Sequence, residues 1–240
     1  MSNKSADIDT MILVGGKGTR LKSLINDRPK CLVEIGGKPI IDYILDNLTS
    51  QGLNKIILCS GFMHDLLYEH INLRKYQKIK FSFEKIPLGT GGALFNAKNL
   101  VDSDHFIVLN GDTICDINFN HLVEFHLKND SYCTIVVNKG RKSNLSGNIY
   151  VDKKHKITNF EEKIKINGSN LLNAGVYIFK RDFINTRIMG KNFSLEYDIL
   201  PDLVKKERCF AYSVSNSFFD MGTPEGYYQT EKYLSRKKTI

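Results

Sequence analysis

Met11-Ile12-Leu13-Val14-Gly15-Gly16-Lys17-Gly18-Thr19-Arg20 decides how this chain is read. The unbroken apolar run describes a strand buried on both faces, the pattern of a parallel sheet. The strand runs directly into a glycine loop, where missing Cβ atoms let backbone N–H groups turn toward an anion. A helix after that loop would add its dipole to the anion site. The loop is not a Walker A motif, which needs four residues between its first glycine and Gly-Lys-Ser/Thr. It is not a full dinucleotide fingerprint either, because Leu21 stands at the third glycine position.

Working outward from this strand, the same grammar repeats. Residues 39–50 begin with Pro39 at a helix start and place Ile41, Ile44, Leu45 and Leu48 at helical spacing. Asn54–Ser60 reads as a second buried strand, His64–Leu73 as a helix and Lys80–Phe83 as an alternating strand. Residues 91–100 read as a helix after a glycine loop. His105–Leu109 reads as another apolar strand, Asn120–Lys128 as a helix and Cys133–Val137 as a strand. Strand and helix in alternation predict an α/β fold: a mainly parallel sheet with helices on both faces. The second half changes character. Gly147–Val151, Ile157–Glu161 and Leu171–Phe179 read as strands joined by short turns, a smaller antiparallel insertion. Helices near 195–206 and 223–235 flank a strand at Cys209–Val214.

The 240 residues, 42% hydrophobic and 25% charged, support one sizeable core with no composition break to divide it. No run approaches the roughly 18–20 apolar residues of a membrane helix, and the polar first nine residues lack a signal peptide's apolar core. The five cysteines are odd in number, scattered and free of any CxxC pair. That argues against a zinc site or a disulfide framework and for a reducing, cytoplasmic setting. The six histidines have no metal-site spacing and read as surface or packing residues. The net charge of +8 allows an anionic partner but is unevenly placed. Residues 139–156 hold six basic side chains against one acidic, and Arg236, Lys237 and Lys238 close the chain.

Four further motifs carry chemistry. Lys30, after Pro29, can reach phosphates as a point charge. Pro87–Ala93 brings Gly89, Thr90 and Gly91 to a strand-to-helix junction near Glu84, where a flat base can approach closely. Asn110-Gly111-Asp112 ends an apolar strand, where ligand sites of α/β sheets lie, and its carboxylate suits a hard ion such as Mg²⁺. In Phe219–Glu225, Thr223-Pro224 starts a helix, which leaves Asp220 outside the capping logic and free for a ligand.

In order along the chain, Gly15–Arg20, Pro29-Lys30, Leu88–Ala93, Gly111-Asp112, Glu162-Lys163, Asn173–Tyr177 and Asp220–Glu225 resemble the sugar 1-phosphate nucleotidyltransferases. The resemblance implies a single Rossmann-like nucleotidyltransferase domain over 1–240, with a nucleotide-binding half at about 10–137 and a sugar-phosphate-binding half at about 138–235. Leu21-Lys22-Ser23 and Glu84–Gly89 look like the branch that makes GDP-D-glycero-α-D-manno-heptose for surface polysaccharide. Lys17 and Cys31 depart from the common pattern without removing a group the chemistry needs.

By that resemblance a sugar 1-phosphate oxygen attacks the α-phosphorus of an NTP, GTP favoured, and pyrophosphate leaves. The nucleophile is already anionic, so positioning and charge neutralisation suffice. The catalytic set implied is Arg20, Lys30, Asp112 and Asp220, with both aspartates holding Mg²⁺. The nucleotide set is Leu13, Gly15, Gly16, Lys17, Gly18, Thr19, Glu84, Gly89, Thr90, Gly91 and Gly111. The sugar-phosphate set is Gly147, Glu162, Lys163, Asn173 and Gly175. Expected partners are these two substrates and a possible second copy of the chain, with no nucleic acid and no membrane. Three rivals fit less well. A glycosyltransferase would carry Asp-x-Asp where Asp112-Thr113-Ile114 stands, and a non-catalytic nucleotide-sugar-binding module would have lost Arg20, Lys30 or an aspartate. A nucleic-acid binder would interleave aromatic and basic residues. Mannose 1-phosphate guanylyltransferase and glucose 1-phosphate thymidylyl-, uridylyl- or cytidylyltransferases stay open as alternatives within the family.

Overall fold

The computed structural model describes residues 7–21, 27–74, 76, 79–139, 147–162, 171–185, 192–214 and 218–237. Lys163 and the Lys22-Ser23 pair lie outside the described residues, as do Arg141, Lys142 and Lys238 of the basic stretches.

The strands are β1 (Asp9–Leu13), β2 (Glu34–Ile35), β3 (Lys38–Pro39), β4 (Ile56–Ser60), β5 (Ile79–Phe83), β6 (His105–Asn110) and β7 (Thr113–Cys115). They continue with β8 (Cys133–Lys139), β9 (Asn148–Val151), β10 (Ile157–Glu161), β11 (Leu171–Lys180), β12 (Cys209–Val214) and β13 (Phe218–Asp220). The helices are α1 (Ile40–Ser50), α2 (His64–Arg74), α3 (Gly89–Asn96), α4 (Phe119–Lys128), α5 (Asp182–Asn185), α6 (Leu200–Lys206) and α7 (Pro224–Lys237). A π-helical turn, Leu195–Ile199, leads into α6.

The apolar run at the start of the chain is the centre of the fold. β1 lies parallel between β4 and β6, and β4 pairs in parallel with β5 at the edge. Alternate residues of these strands feed two cores. Ile12, Leu58 and Ile107 pack with α1, α2, α4 and α7 on one face. Met11, Ile57 and Val108 pack with α3, α5 and α6 on the other. Burial on both faces is why the central strands read as continuous apolar runs.

The second-half strands extend this same sheet. β11 pairs antiparallel with β6, β8 and β9, β12 pairs in parallel with β8, and β10 pairs antiparallel with β9. The separate antiparallel sheets are two-stranded: β13 with β7, and β2 with β3. β11 is ten residues long, and its register shifts between Asn173 and Tyr177. Gly175 sits in that bulge at φ +65°, where a built Cβ would lie 2.5 Å from Asn110 Nδ2. Glycine therefore lets the bulge close over the end of β6.

Two helical expectations change. The glycine loop after β1 runs into a three-residue 3₁₀ turn, Thr19–Leu21, so no long helix dipole points at it. Gly89, Gly91 and Gly92 form the first turns of α3 itself, and the loop before them is residues 84–88. No helix among the described residues is long and apolar enough to cross a membrane.

Candidate active site

The C-terminal ends of β1, β4, β5 and β6 open into a cavity of about 790 Å³. Lining it are Leu13, Gly15, Gly16, Lys17, Gly18, Thr19, Arg20, Lys30, Glu84, Gly89, Thr90, Gly111, Asp112, Gly147, Glu162, Asn173, Gly175 and Asp220. Residues read as one site from seven scattered motifs thus share one concave surface. Parallel strands make this possible, because all their carboxyl ends point one way.

Each side chain has a structural reason for its place. The Gly111 N–H donates to the Leu13 carbonyl at 3.0 Å, tying the β6 exit to β1. The pairing of β13 with β7 sets Asp220 opposite Thr113, and the Met221 N–H donates to the Asp112 carbonyl at 2.9 Å. Two aspartates 108 positions apart in sequence are therefore locked beside each other. Lys30 Nζ pairs with the Asp112 carboxylate. The Asp220 carboxyl accepts from the Gly222 N–H at 2.6 Å. Burial, and next the charge of Asp112, push its pKa up, against Lys30 and Arg20. A carboxylate held against burial and a like charge gains from a cation placed between the two.

At the other rim, Glu84 lies over two backbone glycines. A Cβ on Gly15 would stand 3.0 Å from Glu84 Oε1, and one on Gly61 would stand 2.9 Å away. Burial raises the Glu84 pKa, opposed by a long bond from the Leu88 N–H at 3.4 Å. Neither buried thiol on the wall is a nucleophile: burial pushes Cys31 and Cys59 up to about 12. All five cysteines are free and buried.

One expected residue does not reach the cavity. The Gly91 N–H donates to the Phe193 carbonyl at 3.0 Å, and a Cβ there would strike the Phe193 ring at 2.5 Å. Gly91 packs α3 against the segment before the π turn and has no amide to offer a ligand. Lys163 falls outside the described residues. Conversely, the wall includes residues that no motif marked, Asn192, Ser194, Glu196 and Tyr197, and Asn110, which the motif at the end of β6 contains but to which no role was given. Asn110 Oδ1 is buried without a hydrogen-bond partner. The signal for Glu196 was faint. Ser194 is an N-cap, accepting from the N–H groups of Glu196 and Tyr197, and a cap marks a helix start without saying which face meets a ligand.

Known proteins resemble the chain in sequence and in fold. The chain is 34% identical to D-glycero-alpha-D-manno-heptose 1-phosphate guanylyltransferase of Campylobacter jejuni, over 92% of this chain and 97% of that protein. It is 35% identical to the catalytic subunit beta of mannose-1-phosphate guanylyltransferase from Drosophila melanogaster, covering 90% of this chain but 60% of the longer relative. The crystal structure of HddC from Yersinia pseudotuberculosis complexed with GMP-PN superposes with a TM-score of 0.83 at 33% identity, covering 95% of this chain and 99% of that one. A thymidylyltransferase structure from Bacillus anthracis, described as putative, shares the fold at TM-score 0.82 and 20% identity. With the nucleotidyl transferase family model matching residues 9–237, which hold every described residue placed in the cavity, the chain belongs to that family.

Proposed function

We propose that the protein transfers a guanylyl group from GTP to D-glycero-α-D-manno-heptose 1-phosphate, forming GDP-heptose for surface polysaccharide and releasing pyrophosphate. The observation that carries this reading is the convergence of Arg20, Lys30, Asp112 and Asp220 on one cavity whose wall thiols are held neutral. A sugar-phosphate oxygen forms a bond to the α-phosphorus, and the bond from that phosphorus to the β-phosphate oxygen breaks. No proton need move, so the protein's task is positioning and charge. Arg20 and Lys17 sit to neutralise the departing pyrophosphate, and Lys30 to hold the α-phosphate. Gly147, Glu162, Asn173 and Gly175 form the sugar-phosphate end, and Lys163, outside the described residues, would hold the sugar phosphate as the family resemblance implies.

The donor set fits Mg²⁺. Among the described residues no cluster of three or more metal-ligating side chains exists. Mg²⁺, however, needs only one or two carboxylates when substrate phosphates and water complete its shell. Asp112 and Asp220 would supply those carboxylates. The bound ion would neutralise charge developing on the phosphates.

Two features favour GTP. Guanine alone offers an N1–H and an N2–H side by side, a donor pair that a carboxylate accepts, and Glu84 presents one on the nucleotide rim. The Campylobacter and Drosophila relatives are both named as guanylyltransferases. The free, buried cysteines suit a cytoplasmic reaction. Sequence favours the heptose: Leu21-Lys22-Ser23 and Glu84–Gly89 resemble the heptose branch of the family. Mannose 1-phosphate is the second reading, on the Drosophila similarity. The test is a pyrophosphate-release screen of five NTPs against heptose, mannose and glucose 1-phosphates with Mg²⁺. GTP with the manno-configured heptose is expected to turn over best. Preference for another NTP or for mannose would replace the specificity, and no release with any pair would overturn the reading.

A further inference from the structure

We propose that Glu196 contacts the acceptor, taking a hydrogen bond from a sugar hydroxyl through Oε1 and thereby fixing which sugar 1-phosphate is used. This deepens the transferase reading above and rests on it.

The local chain is built to bring this carboxylate inward. Pro201 has no N–H to close an α-helical bond onto the Tyr197 carbonyl, and the turn before it widens to the π form over Leu195–Ile199. Ser194 caps that turn, and the Leu195 N–H donates to Thr90 Oγ1 at 2.9 Å, docking the turn on α3. Glu196 then lines the cavity.

Its two oxygens are used unequally. Oε2 accepts from Thr90 Oγ1 at 2.6 Å and from Ser194 Oγ at 2.9 Å. Among the described residues, Oε1 accepts only a long bond, 3.3 Å, from the Tyr177 hydroxyl. A carboxylate oxygen has two lone-pair sites, so Oε2 is filled and Oε1 can take a further donor. Its side of the cavity is set by what holds Tyr177. That hydroxyl accepts from Asn173 Nδ2 at 2.8 Å, and Asn173 Oδ1 accepts from the Gly175 N–H at 3.0 Å. Oε1 therefore belongs to the β11 bulge, the sugar end, while Oε2 is spent on the nucleotide-side helix. Pyranose hydroxyls are donors of fixed direction, and a carboxylate pinned by three protein hydroxyls distinguishes one epimer from another by whether a hydroxyl points at it.

The test uses purified wild type, E196Q and E196A with the acceptor and the NTP varied in turn, plus a series of monodeoxy acceptors. A hydrogen bond to a charged group predicts a KM for the acceptor raised roughly 10- to 100-fold in E196A, less in E196Q, with the NTP KM within about twofold. The decisive readout is one deoxy position: its loss is large in wild type and absent in E196A. A purely structural role would leave the deoxy penalties equal in both proteins. If the NTP KM rises instead, Oε1 serves the ribose and the proposal fails. If E196A does not fold, E196Q keeps the side-chain shape and decides by the same deoxy comparison. A wild type that transfers to no sugar 1-phosphate overturns the transferase reading and this contact together. An active wild type with unchanged E196Q and E196A overturns the contact alone.

Discussion

Gly175 binds the fold to the site through a single atom that is absent. Any side chain there must adopt φ +65° and place its Cβ 2.5 Å from Asn110 Nδ2. Gly175→Ala is expected to cost about 1–3 kcal/mol of stability in urea denaturation, and to reduce turnover because the bulge carries Asn173. Replacing a charge has the opposite profile. Arg20→Ala or Asp112→Ala is expected to lower pyrophosphate release by roughly 10²–10³-fold with circular dichroism unchanged; near-normal turnover would remove these residues from the machinery. Glu84→Gln separates base from phosphate: the preference for GTP over the other NTPs should shrink by about 1–3 kcal/mol while kcat with GTP falls less. These residues were legible because glycines, a Pro-Lys pair and aspartates at strand ends carry local signatures. Glu196 was not legible, since it meets Thr90 across 106 positions of sequence and sits in a stretch that reads as ordinary helix.

At the scale of elements, α4 is moored to the sheet by histidines rather than by apolar contact alone. His126 Nε2 lies 2.9 Å from His105 Nδ1 on β6, and its Nδ1 lies 2.8 Å from Thr134 Oγ1 on β8. Burial, and then the neighbouring His105, hold His126 down to about 3. Below pH 6.5 the unfolded chain takes up a proton that the folded chain refuses, so stability falls with acidification over the window from about 6.5 to 3. The slope expected from this one group is about 1.4 kcal/mol per pH unit. Urea midpoints measured at pH 7 and pH 5 should drop accordingly in wild type, and much less in His126→Gln. The elements themselves were mostly visible beforehand, because buried strands are continuous apolar runs and helices repeat at 3.6. Their neighbours were not. That β11 inserts between β6 and β8, and that β13 pairs with β7, are long-range choices that local pattern does not encode.

For the molecule as a whole, the charge that the sequence advertises and the charge that the site uses are different populations. Lys17, Arg20 and Lys30 line the cavity, while Lys153 and Lys154 are exposed on the turn between β9 and β10 and do not. The backbone of that turn is held locally: Asp152 Oδ1 accepts from the N–H groups of Lys154 and Lys156 at 2.8 and 3.0 Å. Side chains pointing to water there are screened within about 8 Å at physiological salt, so they add little potential inside a cavity they do not line. A double reversal, K153E with K154E, would take the net charge from +8 to about +4. At 0.15 M salt the KM for NTP and for sugar 1-phosphate should stay within about twofold of wild type, since fields beyond a Debye length are largely lost. At low salt any non-specific affinity for polyanions should weaken, because that binding follows the number of exposed cations. A large rise in either KM at physiological salt would place the β9–β10 turn at the mouth of the site, and would make the excess charge part of substrate capture after all.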